Sequence, residues 1–261
     1  MHTGSRCAFT LTELLIALFV VAVLIGILVP SLAGVREHAR RIVCGSNQRQ
    51  VGLGIHMYSD QWDSFLPSSV FLGNTSNIHG RTAENYRPQD MVTVRVLPTL
   101  DSAKPRSAIA PPETWDGLGL LFSGKYVTAP QIYYCPSHRG DFRFEEYEDQ
   151  WHDAAGEIVS NYHYRGMGPN EMKRLHLIPQ DAAIVSDSLR SFEELNHVGG
   201  FNVLHASLSV AWMPDEAGEI SSILANQGDG GGDSDTADLL WGALDGEDPS
   251  DGQGTVGSGE G

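Results

Sequence analysis

No lysine or arginine follows Arg190 in this 261-residue chain, although 14 of its 33 acidic residues lie beyond that point. The formal charge of −16 therefore belongs to the C-terminal end, and residues 1–190 hold 19 acids against 17 bases. With neither a basic patch nor an aromatic-basic stripe, the chain lacks the electrostatic footprint of a nucleic-acid binder. Cysteine is scarce: Cys7, Cys44 and Cys135 are the three, and no C-x-x-C pair exists. That leaves a zinc or thioredoxin-like site without support. No activated-nucleophile motif such as G-x-S-x-G is present, so an enzyme is not expected. There is no internal repeat and no A-x-A site of the kind that ends an ordinary secretory signal.

What is present is an apolar run over residues 9–29 with one charge in it, Glu13. At about 1.5 Å per residue such a run crosses about 30 Å of hydrocarbon as a helix. It exceeds a signal-peptide core of roughly 7–15 residues, and Cys7 precedes it, whereas a lipoprotein cysteine would follow. A carboxylate inside a span costs roughly 2.5–3.5 kcal/mol on insertion scales and calls for a partner. Pro30 should bend the helix rather than end it, because helical patterning resumes beyond. Val35, Ala39, Ile42 and Val43 form one stripe at helical spacing, with Arg36, Arg40 and Arg41 on other faces. Gly52 and Gly54 weaken the helix over residues 51–58. The expectation is one bent helix of about 50 residues, its first half in lipid and its second in water.

The stretch AFTLTELLIALFVVAVLIGILVP resembles the prepilin-type cleavage and methylation signal of type IV pilins and type II secretion pseudopilins. Phe9, Thr10, Leu11 and Glu13 match its pattern; Ala8 stands where Gly is usual and Thr12 where Ile is common. Pro30 occupies the position where many family helices carry proline. The resemblance implies that a membrane prepilin peptidase cuts between Ala8 and Phe9 and that Phe9 is N-methylated. It implies that subunits leave the bacterial inner membrane as a helical filament, with Glu13 meeting the amino terminus of a neighbouring subunit. It places the globular domain on the exoplasmic (periplasmic) side or in an extracellular filament, against the count of bases flanking the span. The rival reading is an uncleaved, single-span anchored exoplasmic binding domain.

Further matches fall in the globular part. Arg40-Arg41-Ile42-Val43-Cys44 through Asn47-Gln48 resembles the continuation of pilin-like proteins carrying the DUF1559 domain. Cys135-Pro136-Ser137 resembles that group's CPSD element, and His197-Val198-Gly199-Gly200-Phe201-Asn202 resembles its H-x-G-G-x-N motif. Ser207 and Leu208 replace the Asp-Gly that ends the motif, which points to a wider turn or a bulge. The resemblance implies an α+β, pilin-like fold: a long bent helix packed on a small antiparallel sheet with long loops. The organisation expected is a leader (1–8), a transmembrane helix (9–29), an amphipathic extension (30–60), a globular domain (61–225) and an acidic tail (226–261).

Strand candidates are residues 92–97, 131–135, 158–164, 182–186, 201–204 and 207–212, and residues 118–126 read as a short helix. From Gln227 the Gly-, Asp- and Ser-rich composition predicts an unordered tail. With Cys7 removed in the leader, Cys44 and Cys135 remain as an even pair, either a disulfide or two buried thiols. Asp187, His197 and His205 are candidate metal or acid/base groups, but their spacing fits no ligand template, and His197 reads as a turn or core histidine. Asp229, Asp233, Asp235 and Asp238 offer hard oxygen ligands for Ca²⁺, against a solvated acidic tail as the plainer reading. No other cofactor is expected.

Overall fold

The computed structural model describes residues 10–69, 71–72, 91–96, 115–153, 156–197, 199–226 and 234–246. The chain divides into two compact units, residues 1–40 and 41–261. In the first, helix α1 (Leu11–Gln61) runs through the apolar stretch. Its start is fixed by Thr10 and Glu13: the Thr10 N–H and hydroxyl both donate to Glu13 Oε2, at 2.9 and 2.8 Å, and the Glu13 N–H returns to Thr10 Oγ1 at 3.3 Å. This T-x-x-E box satisfies amide groups that a helix N-terminus leaves open. The segment Leu11–Val29 is long and apolar enough to cross a membrane, and none of it is buried.

The second unit takes up the helix from Arg41. Its buried stripe is Cys44, Gln48, Val51, Ile55 and Tyr58, the three-to-four-residue spacing of one helix face. The stripe anticipated through Val35, Ala39, Ile42 and Val43 is not the buried one; Ile42 and Val43 are about half exposed. Burial follows polar complementarity here, because the buried face carries Gln48, whose amide meets Asp187 and Asn202. The helix also continues through Gly52 and Gly54. A Cβ on Gly52 would lie 2.9 Å from Leu204, and one on Gly54 2.5 Å from Val127, so the glycines mark close approach rather than weakness.

Along the chain follow β1 (Thr93–Arg95), α2 (Gly119–Ser123), α3 (Phe144–Tyr147), β2 (Ile158–Val159), β3 (Tyr162–Tyr164), β4 (Ala183–Asp187), β5 (Gly200–His205) and β6 (Val210–Pro214). Helices α4 (Glu219–Asn226) and α5 (Ser234–Asp245) close the described chain. Strands β1 and β2 pair antiparallel, and β3-β4-β5-β6 form an antiparallel meander. The fold is α+β, as anticipated. The strand expected over residues 158–164 is split, because Ser160 bonds back to Val92 and Asn161 to Tyr133, handing the chain from one sheet to the other. Residues 131–135 are not a strand: Pro130–Tyr133 is a 3₁₀ turn with proline at its first position, where a fixed φ favours it.

Strand β5 is buried on both faces and alternates between them. Phe201 and Val203 join Ile220, Leu224, Leu240 and Trp241 in one core, while Leu204 joins Val51 and Ile55 of α1 in the other. The turn into β6 shows the loss of Asp-Gly in its geometry. Leu208 N–H closes on the His205 carbonyl at 3.0 Å, His205 N–H on Ser209 at 2.9 Å, and Leu208 sits at φ +68°. This three-residue loop places a leucine in the left-handed position where glycine fits without strain.

The acidic tail needs a correction. Residues 234–245 are helical, and Ala237, Leu240, Trp241 and Leu244 are buried at helical spacing. Asp245 fixes the end: its Oδ1 accepts the Ala183 N–H and its Oδ2 pairs with Arg165, both at 2.7 Å. Composition conceals a period: four apolar residues on one face, each contributing about 1.5–3 kcal/mol when large and fully buried, offset the ordering cost. The remainder of the tail lies outside the described residues.

Candidate functional site

Two places carry the motif residues. At the first, Glu13 lies in the first turn of α1, exposed along with the apolar side chains that follow it. Its carboxylate is already oriented by Thr10, so it is held at the helix start rather than free to wander. Ala8 and Phe9 lie outside the described residues, as does the Pro30 side chain; the helix backbone passes through Pro30 without interruption.

The second place lies inside the globular unit, and its parts are scattered along the sequence. Cys44 comes from α1, Cys135 from the segment after the 3₁₀ turn, Asp187 from the end of β4 and His197 from the loop entering β5. Their ligating atoms all lie within 4.8 Å of one another, and all four residues are buried. The Cys44 thiol donates to Asp187 Oδ1 at 2.9 Å. Cys135 Sγ lies 3.4 Å from His197 Nε2, which is 3.8 Å from Asp187 Oδ2. The two sulfurs are not bonded to each other in this structure.

The surrounding shell holds these groups. Asp187 Oδ1 accepts from Gln48 Nε2 and Asn196 Nδ2, each at 3.2 Å, and Oδ2 accepts the Asn202 N–H at 2.6 Å. Asn202 Nδ2 reaches His197 Nε2 at 3.4 Å and the Arg41 carbonyl at 3.3 Å. The Ser137 N–H points at Cys135 Sγ at 3.4 Å. Asn47 ties the Tyr134 carbonyl to the helix at 3.2 Å. The two glycines of the motif act sterically. Gly199 takes φ +81°, and a Cβ on Gly200 would fall 2.3 Å from the Met213 carbonyl and 2.6 Å from the Trp212 ring. Only glycine lets the chain enter β5 this close to β6 with His197 turned inward. His138, where the related motif has Asp, is held between Asn196 Oδ1 at 2.8 Å and the Asp141 carbonyl at 2.6 Å.

Burial, the neighbouring Cys135 and the charge of Asp187 push the Cys44 thiol well up. Burial also acts on Cys135, but hydrogen bonds from Cys44 and His197 outweigh it and hold that thiol below its ordinary value. The arrangement does not make a hydrolase triad, because Asp187 approaches the same ring nitrogen of His197 as Cys135 does, rather than standing behind the ring.

Of the three metal candidates read from the sequence, Asp187 and His197 meet and His205 does not. His205 sits at the β5–β6 turn with Nδ1 toward the Ser209 carbonyl. Of the four calcium candidates, Asp229, Asp233 and the Asp235 side chain lie outside the described residues; Asp238 lies on the exposed face of α5. What sequence reading misses is the pairing of Cys44 and Cys135 with His197, and the capping role of Glu13, for which T-x-x-E is a readable signal.

An exposed apolar helix opened by a carboxylate, continuing into a helix-on-sheet unit, defines a protein of the prepilin-type, type IV pilin-like class. Residues 4–29 match the prokaryotic N-terminal methylation motif. Residues 34–176 match the family described as a protein of unknown function (DUF1559), and the chain belongs to that family. Neither a curated protein nor a solved structure matches it. The DUF1559 match includes Cys44 and Cys135 and ends before Asp187 and His197.

Proposed function

We propose that this protein is a structural, non-catalytic subunit of a pilus or type II secretion pseudopilus. Prepilin peptidase cuts between Ala8 and Phe9, Phe9 is N-methylated, and the chain waits in the bacterial inner membrane with its globular domain on the exoplasmic side. The observation that carries this reading is the methylation motif over residues 4–29 leading into a helix of which Leu11–Val29 is unburied. Nothing within the described chain covers that apolar surface, so lipid and then other copies of the subunit are its natural surroundings. Glu13 supplies the specific contact. In a filament core of low dielectric, the amino group freed at Phe9 of a neighbour gives the carboxylate a charge-assisted partner.

The capping box sharpens the test. Gln serves at the third helical position nearly as Glu does, so Glu13→Gln keeps the helix start and removes only the charge. Membrane insertion should persist while assembly falls about tenfold or more, the equivalent of a charge-assisted bond worth about 1.5–3 kcal/mol. Assembly at the normal level, measured by crosslinking or filament yield, would count against the paired-charge mechanism.

A further inference from the structure

We infer that Cys44, Cys135, Asp187 and His197 form a binding site for one zinc ion. Two thiols, an imidazole and a carboxylate are the donor set of a closed tetrahedral zinc centre, with bond lengths of about 2.3 Å to sulfur and about 2.0–2.2 Å to nitrogen and oxygen. Tetrahedral bonds of those lengths set neighbouring ligand atoms roughly 3.3–3.8 Å apart. The observed separations are 2.9 Å from Cys44 Sγ to Asp187 Oδ1, 3.4 Å from Cys135 Sγ to His197 Nε2 and 3.8 Å from His197 Nε2 to Asp187 Oδ2, with one donor atom from each residue within 4.8 Å of the other three. Adjustments of about 1 Å therefore complete the shell.

Three further observations favour the ion. Asp187 is wholly buried, and a buried carboxylate is ordinarily matched by a cation. A second layer is already built: Gln48, Asn196 and the Asn202 N–H orient the carboxylate, and the Ser137 N–H points at a sulfur. Cys135 also lines an open cleft of about 730 Å³ together with Asn47 and His138, which gives an ion a route in. Binding releases two protons, one from each thiol, and leaves sulfur and metal at their original oxidation levels. The ion would tie α1 to three segments of the sheet unit, independently of how the N-terminus is processed.

The test uses the full-length chain, produced with zinc supplied and purified in detergent without chelator. Elemental analysis should find one zinc per chain, and neither thiol should react with a thiol reagent until the ion is stripped. Replacing zinc by cobalt should give the visible bands of a tetrahedral ion and a sulfur-to-cobalt charge-transfer band. Cys44→Ser combined with Cys135→Ser should abolish both; the wild-type measurements decide the matter even if that variant folds poorly. A wild-type chain with no zinc and two reactive thiols overturns the inference. So does a zinc-free chain two hydrogens lighter, which would hold a Cys44–Cys135 disulfide, and so does a cobalt spectrum without the sulfur band.

Discussion

The two halves of α1 are built from one helix and two different logics. Between Leu11 and Val29 every described side chain is exposed, although the segment is the most apolar in the chain. From Arg41 onward the helix mixes arginine, amides and glycine with its apolar residues, yet there Cys44, Gln48, Val51 and Ile55 are completely buried. Glycines show the same contrast. A Cβ on Gly26 or Gly34 would meet nothing within 4 Å, whereas on Gly52 it would strike Leu204 and Leu208. Apolarity states what a segment would bury, and only complementary neighbours decide whether the chain itself provides it. The first half asks for a partner outside the described chain; the second half has its partners in β5 and the turn beyond.

The sharpest way to break that comparison is to remove one large side chain from each half. Trp241→Ala, in the core behind the sheet, should cost about 3–5 kcal/mol of domain stability in denaturant unfolding. Leu24→Ala should leave the same transition within about 0.5 kcal/mol. Equal losses would mean that the first half is part of the domain's core after all. The glycine pair gives a middle-sized effect. Gly52→Val should destabilise by about 1–3 kcal/mol through overpacking. Gly34→Ala should be neutral or stabilising by up to about 1 kcal/mol.

The smallest effect is a pH dependence confined to the globular unit. Burial lifts the Glu194 carboxyl above the ordinary glutamate range, with Arg190 pulling partly the other way. A raised folded pKa means that the neutral group is the stabilising one; its contribution is present in acid and is lost as pH rises through that value. Glu194→Gln stays neutral throughout. Its melting temperature should therefore gain on the wild type between acid and neutral pH, and a constant gap would contradict this account.

Most of the architecture is legible where local pattern and final environment agree. The apolar run, the β4 strand and the paired strands β5 and β6 all follow from periods of one kind of spacing. The tail reads as unordered because glycine and aspartate dominate its composition, while Ala237, Leu240, Trp241 and Leu244 hold a helical period within it. Residues 131–135 look like a strand, but the proline before them opens a 3₁₀ turn instead. The buried cluster is legible only as separate motifs. Cys44 and Asp187 are 143 positions apart and Cys135 and His197 are 62 apart, so no local ligand spacing exists to be read. What joins them is the sheet register that sets Asp187 beside Tyr162 and the glycine pair that turns His197 inward.

The claim on which the rest depends is that the exposed first half of α1 is prepared for other copies of itself. The most direct measurement is the mass of the N-terminal peptide from protein taken from its own membrane. A chain beginning at Phe9 with one added methyl group is the result expected, since it carries the amino group that the proposed contact with Glu13 requires. A chain beginning at Met1 would contradict it and leave the helix as a single-span anchor for the domain beyond.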